Sequence, residues 1–256
     1  MIICKSAAEI EKLRRSGQLV RELLEEVSGR VKPGCSTLEL ETYVEKRVRQ
    51  LGVKPAFKGY RGYPRCLCAS VNEEIVHGIP SGRVLKEGDI VSLDLGVIVD
   101  GFYGDSALTV PVGAISPSLQ RLLRVTEESL QMGIEQVRLG RRLGDISAAI
   151  QRHAEQAGYS VVREFVGHGI GRDLHEEPQV PNFGKAGHGP VLKEGMVLAI
   201  EPMINTGGPG VRVLEDRWTA VTADGGYSSH FEHMVAVTRN GPDVLTDWSP
   251  PKGGSL

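Results

Sequence analysis

The sequence predicts an α+β fold made of two similar halves packed about a pseudo-two-fold axis. Three observations carry that prediction. Leu85-Lys86-Glu87-Gly88 recurs as Leu192-Lys193-Glu194-Gly195, and six residues beyond each Gly stands a carboxylate, Asp94 and then Glu201. Gly34 matches Gly140 and Gly52 matches Gly158, each 106 positions on. Between these markers each half reads helix, Gly, helix, Gly, strands, Leu-Lys-Glu-Gly, strand, carboxylate, and self-similarity in a fixed order marks a duplicated unit. Two such halves would bring their matching carboxylates together near the axis.

In chain order, Ser6 and Glu9 form a capping box. Ile10, Leu13, Leu24, Val27 and Val31 then recur near a helical period, and Lys32-Pro33-Gly34 ends the helix. A second helix runs from about Thr37 to Leu51, with Leu40, Tyr43, Val44, Val48 and Leu51 inward and Gly52 just past its end. Residues 53–80 are loop-rich and aromatic, with a strand over Cys66 to Val71 and His77 in a turn.

Asp89 to Ser106 follows as two strand-like runs flanking Asp100-Gly101, a strong two-residue hairpin signal. With that loop, Asp105 faces Gly96 and Asp94 faces Ala107. Asp94 and Asp105 are then diagonal neighbours on one face, about 7 Å or less between Cβ atoms. Val91, Leu93 and Leu95 form the core face behind them. Two carboxylates so close repel unless a proton or a cation sits between them. The hairpin alone leaves open ordinary solvated or Lys-paired aspartates.

Ser116-Pro117 opens a third helix with an N-cap and a first-turn Pro, burying Leu119, Leu122, Leu123, Leu130, Ile134 and Val137. A fourth runs from about Leu143 to Ala157. A strand from Val161 to Val166 leads into Gly167-His168-Gly169-Ile170-Gly171, where three glycines bare the backbone around His168. A phosphate loop usually feeds a helix, and no helical pattern follows here. Glu201 ends the apolar strand Met196 to Ile200, and Pro202 keeps it extended. Further strands are read over Val211 to Val221 and Phe231 to Val237, the second carrying Glu232. Residues 240–256 are rich in Gly, Pro and Ser and read as a surface strap or loose end.

The 256 residues are 40% hydrophobic and 24% charged with net charge −2, which fits one globular catalytic domain. Its halves are about 1–115 and 116–239, with the tail at 240–256. The near-zero charge argues against a broad nucleic-acid surface, so no DNA partner is expected. No apolar run is long enough for a membrane span, and the N-terminus lacks a signal-peptide pattern. A cytoplasmic monomer is the expectation. Cys4, Cys35, Cys66 and Cys68 read as small hydrophobes rather than disulfide partners, and they lack zinc-knuckle spacing.

The candidates collect as Asp94, Asp105, His168, Glu201 and Glu232. Four acids and one imidazole can hold two divalent cations about 3.5–4 Å apart. The set suits Mn, Fe(II), Co or Zn better than copper, and calcium less well because of the imidazole.

These residues, in this order, resemble the type I methionine aminopeptidase family of pita-bread metallopeptidases. The likeness runs from about Ser6 to Arg239. It is carried by Tyr60-Arg61-Gly62-Tyr63-Pro64, Asn72 through Pro80, the Asp94/Asp105 hairpin, Gly167 through Gly171, His175-Glu176-Glu177-Pro178, Glu201-Pro202 and Phe231-Glu232-His233. The resemblance implies an antiparallel sheet covered by helices on one face. It implies removal of the N-terminal methionine, preferably before a small second residue, by metal-activated water.

Residue by residue, Asp94 resembles the bidentate ligand of one metal and Asp105 and Glu232 the bridging ligands. His168 and Glu201 complete the other shell. Glu201 also resembles the proton carrier, His175 the group that hydrogen-bonds the scissile carbonyl, and His77 a contact to the substrate amide. Tyr60, Tyr63, Cys68, His77 and Trp218 resemble the walls of the methionine pocket. Asn72 and Ser228 match a monovalent-cation site. Phe57 stands where bacterial relatives often carry Cys, and Leu174 where an aromatic often closes the pocket.

No Cys/His-rich segment precedes the first helix, so a zinc-finger docking module is not expected. Arg121, Arg124, Arg141 and Arg142 are the candidates for contact with the ribosome, against a plain solvated helix face. Rival readings are an X-Pro peptidase of the same fold, a non-catalytic peptide-binding relative, and a protein with a purely structural Mg or Ca ion.

Overall fold

The computed structural model describes residues 1–247. The first half runs α1 (Ala7–Ser28), α2 (Thr37–Leu51), β1 (Lys54–Pro55), β2 (Leu67–Val71), β3 (Glu74–Val76), β4 (Ile90–Val99) and β5 (Phe102–Pro111). The second opens with α3 (Pro117–Ile134) and α4 (Leu143–Gln156), then β6 (Ser160–Val161), β7 (Gly167–Gly169), β8 (Glu176–Val180) and β9 (Val197–Ile200). It closes with β10 (Met203–Asn205), β11 (Val211–Val213), β12 (Ala220–Thr222), β13 (Ser228–His230), β14 (His233–Thr238) and β15 (Gly241–Val244).

Local chemistry accounts for the helix starts. Ser6 with Glu9 and Ser36 with Glu39 both close reciprocal capping boxes, and Ser116 accepts from Leu119 N–H ahead of Pro117. α1 stops at Ser28, short of Val31, because Gly29 caps it and Val31 N–H closes a tight turn onto Ser28. Leu51, expected inward, lies exposed in the last turn of α2.

All strand pairings are antiparallel. One sheet has the order β1-β4-β2 with β5 also on β4, and another has β15-β14-β9-β7-β8. Two three-stranded pieces, β13-β10-β6 and β11-β12-β3, complete the frame. Val20, Leu24 and Val27 of α1 and Leu40, Val44 and Val48 of α2 pack on Leu67, Val91, Leu93 and Leu95. Leu122, Leu130 and Ile134 of α3 and Ile146 and Ile150 of α4 pack on Leu198, Ile200 and Val235. Each such buried side chain contributes about 1.5–3 kcal/mol relative to exposure.

The duplication is written in the backbone. Gly34 N–H donates to Leu85 C=O at 2.8 Å, and Gly140 N–H to Leu192 C=O at 3.2 Å. Leu85 N–H returns to Cys35 C=O, and Leu192 N–H to Arg141 C=O. Gly88 N–H reaches Val112 C=O, and Gly195 N–H reaches Val237 C=O. All six repeated glycines have positive φ, between 68° and 92°, which explains why both copies keep Gly there.

The hairpin has the register expected, with Gly96 opposite Asp105 and Asp94 opposite Ala107. Its two loop residues both have positive φ, the requirement of a tight Asp-Gly turn. Four further expectations are corrected. The strand read over Val161 to Val166 is only Ser160–Val161, because β6 pairs with β10 while β7 pairs with β9, and the chain must bend between two sheets. His168 consequently lies within strand β7.

Val211 to Val221 is a hairpin of two short strands, its connection held by Asp216, which accepts from Trp218 and Thr219 N–H. Glu232 precedes β14 in an isolated bridge to Ala107. The start of the tail is no strap, since Gly241–Val244 forms edge strand β15 on β14. Pro242 is tolerated at that edge. The expectation for the tail beyond 247 lies outside the described residues.

Candidate active site

The five candidate ligands converge. Asp94 projects from β4 and Asp105 from β5, His168 from the middle of β7, Glu201 from the end of β9, and Glu232 from the chain just before β14. All five line one cavity. The seam between the halves brings the last of them in. Glu232 N–H donates to Ala107 C=O at 2.9 Å, and Ser106 Oγ–H donates to Glu232 C=O at 2.6 Å.

Asp105, His168 and Glu232 each offer a donor atom within 4.8 Å of the others. His168 Nε2 stands 3.5 Å from Glu201 Oε1 and 3.9 Å from Asp105 Oδ2. His168 Nδ1 faces Gly169 C=O at 3.0 Å, which assigns the ring proton to Nδ1 and turns the Nε2 lone pair toward the acids.

The electrostatics of the cluster call for cations. Asp94 Oδ1, Asp105 Oδ1 and Glu232 Oε1 are buried without a hydrogen-bond partner. Burial, the charge of Glu201 adding to it, pushes Asp94 up to about 7, and burial pushes Glu201 up to about 8. Asp105 and Glu232 are held well above the carboxylate range by burial and then by the neighbouring acids. Burial holds His168 down at about 3, so it is a neutral donor. Orphaned buried carboxylate oxygens are expensive unless a cation takes them up. Four carboxylates match the charge of two divalent ions, and the donor set fits them.

Beside the cluster the same cavity is walled by Tyr60, Tyr63, Cys68, His77, His175 and Trp218, with Phe57 and Leu174. Tyr63 meets Trp218 edge-on at 5.1 Å between centroids, and His77 meets Trp218 at 6.2 Å and Phe165 at 5.3 Å. Tyr63 spends its hydroxyl on Leu67 and Gly78 C=O, leaving its ring as wall. His77 sits in a turn with φ 61°. Burial, with His230 and His175 near, holds it at about 4.

Tyr60 begins a short 3₁₀ turn and stacks on His175 at 5.3 Å, its hydroxyl 2.9 Å from Nδ1. The loop bearing His175 is pinned by Glu176, which accepts from Arg172 N–H and pairs with buried Lys5 at 2.5 Å. Asn72 and Ser228 also meet, Ser228 N–H donating to Asn72 C=O at 2.8 Å.

Sequence reasoning missed two residues. Arg61, exposed at the cavity mouth, is the single Arg or Lys among the described lining residues, and no spacing announces it. His230 is buried with Nε2 3.5 Å from Glu201 Oε2. Its signal was available: it stands two residues before Glu232, the interval that returns an extended chain to the same face.

Residues 11–239 match metallopeptidase family M24. The chain belongs to that family. This M24 chain is 52% identical over 246 residues to methionine aminopeptidase 1 of Bacillus subtilis, covering 96% of this chain and 99% of that one. It is 50% identical to the methionine aminopeptidase of Clostridium perfringens, again over 96% and 99%.

The crystal structure of methionine aminopeptidase from Thermotoga maritima superposes with a TM-score of 0.94 at 49% identity, covering 96% of this chain and 99% of that one. An Xaa-Pro dipeptidase from Bacillus anthracis shares the fold at 24% identity and a TM-score of 0.76. The M24 chain is a metallopeptidase of the pita-bread fold, and its family implies bound divalent metals. No helix among the described residues is long and apolar enough to cross a membrane.

Proposed function

We propose that this enzyme removes the N-terminal methionine from nascent proteins and peptides, preferring a small second residue. One observation carries the reading: the five-ligand cluster opens directly onto a slot walled by Tyr63, Cys68, His77 and Trp218. A thioether suits such an aromatic and sulfur-lined slot. Asp94, Asp105, His168, Glu201 and Glu232 would hold two divalent cations, with Co, Mn, Fe(II) or Zn the best matches. Bound there, the ions supply Lewis acidity to the scissile carbonyl and acidity to water.

The chain supplies the rest. Glu201 takes the proton of the attacking water and passes it to the leaving amine as the carbon–nitrogen bond breaks. Tyr60 O–H donating to His175 Nδ1 leaves the His175 proton on Nε2, free to hydrogen-bond the carbonyl oxygen as charge develops. Neutral His77 contacts the substrate amide. A monovalent cation would sit by the Asn72 and Ser228 carbonyls.

The whole chain acts as one catalytic domain, and we place the protein in the cytoplasm as a monomer with no DNA or membrane partner. Four cysteines outside any disulfide accord with a reducing compartment. A ribosome contact through the basic residues finds less support. Arg121 donates to Ala157 C=O, Arg142 to Gly189 C=O and Arg141 to Gln136, leaving Arg124 with an exposed pair to Glu128.

The fold shared with the Xaa-Pro dipeptidase keeps one rival in view. Assay of metal-loaded enzyme on Met-Gly against Ala-Pro peptides decides between them. Faster turnover of the Met peptide is expected, and faster turnover of the Pro peptide would overturn the proposal.

A further inference from the structure

Glu201 lies between two imidazoles. His168 Nε2 is 3.5 Å from its Oε1, and His230 Nε2 is 3.5 Å from its Oε2. The first belongs to the ligand cluster. The second has no assigned part, and Nε2 of His230 is buried without a hydrogen-bond partner. A buried ring nitrogen left unpaired costs about 1–3 kcal/mol. The acceptor within reach is Glu201 Oε2, and hydrogen bonds in catalytic sites tighten once the working complex assembles.

The imidazole is held firmly enough for the purpose. His230 N–H donates to Thr109 Oγ1 at 2.9 Å, and the Thr109 hydroxyl donates back to His230 C=O at 2.8 Å. Thr109 belongs to β5 of the other half, so the duplicated frame itself fixes where His230 stands. Met203 of β10 faces it across the other strand pairing.

We propose that His230 is a positioning residue for Glu201. Its Nε2–H donates to Glu201 Oε2, and that bond keeps Oε1 turned toward His168 and the metal ligands. The inference rests on the hydrolytic reading above only for its kinetic consequence. The carboxylate's orientation also shows in metal affinity, with no substrate present.

The test compares His230→Gln, whose amide can donate at similar reach, with His230→Met, of similar length but without a donor. Mn²⁺ affinity of the purified, metal-stripped protein is measured by calorimetry. Turnover is measured separately on a Met-Ala-Ser peptide. The Met variant should bind Mn²⁺ about 10-fold more weakly and lose turnover on the order of 10²-fold, with KM within about twofold; the Gln variant should recover most of both.

A Met variant with wild-type affinity and turnover overturns the assignment, as does a Gln variant that falls as far as the Met variant. If thermal melts show the Met variant unfolded, His230→Asn replaces it. Its shorter amide should lose what Gln keeps, and equal behaviour of Asn and Gln again overturns the assignment. A wild type that binds Mn²⁺ but cleaves no Met peptide would sink the aminopeptidase reading alone, leaving the affinity comparison to judge His230.

Discussion

Stripping the divalent ions should make this protein lose stability as pH rises through neutrality. Asp94 is raised from 3.8 to about 7 and Glu201 from 4.5 to about 8, and Asp105 and Glu232 are also raised well above their ordinary values. In the unfolded chain all four are ionised above about pH 5. Between about pH 6.5 and 8.5 the folded state therefore binds more protons than the unfolded state, so unfolding free energy falls as pH rises.

If about two extra protons are held near pH 7, the slope is about −2.7 kcal/mol per pH unit. For a chain of this size that lowers Tm by roughly 5–10 °C per pH unit. The buried histidines act in the other direction. His77 and His168 are depressed to about 4 and about 3, and His175, His230 and His233 are lowered too, so they oppose the fall at the lower edge of the window, near pH 6.5, and fade as pH rises beyond it. Saturating Mn²⁺ should keep the four acids ionised in the folded state and so flatten the slope.

The assay is a set of melting curves at pH 6.5, 7.5 and 8.5, with chelator and with Mn²⁺. A chelated protein whose Tm moves by less than about 2 °C across that range would refute the reasoning. So would an equal fall with and without Mn²⁺.

Further outcomes test the individual roles. Glu201→Gln should weaken metal binding and cut turnover by about 10²–10⁴-fold; wild-type activity in that variant would remove its role as proton carrier. His77→Ala should lower turnover while metal content measured by atomic absorption stays at the wild-type ratio, and unchanged kinetics would contradict a substrate contact. Lys5→Met leaves Glu176 buried without its cation, and chemical denaturation should show a loss of about 3–5 kcal/mol. Its turnover should fall too, because Glu176 anchors the loop that aims His175, and a loss under about 1 kcal/mol would mean the pair is energetically idle.

How much could be read in advance follows from where each signal is stored. The hairpin register was legible because a two-residue Asp-Gly loop fixes every later pairing, which placed Asp94 and Asp105 on one face without further information. The repeat was legible because its glycines answer to backbone conformation, and positive φ leaves few alternatives. The strand after α4 was misread because residue preferences report extended chain, not which sheet receives it; Ser160–Val161 and Gly167–Gly169 belong to different ones. Glu232 could be named but not placed, since its position depends on a bridge to Ala107 some 125 residues earlier. His230 shares that dependence through Thr109.

The bridge joining Ala107 and Glu232 also bears on when in its life the molecule becomes active. Synthesis delivers Asp94 and Asp105 long before the chain that carries Glu232. Until that late segment docks, the growing polypeptide carries four of the five candidate ligands and lacks Glu232. The ligand cluster is thus completed only at the close of assembly, when the bridge to Ala107 forms.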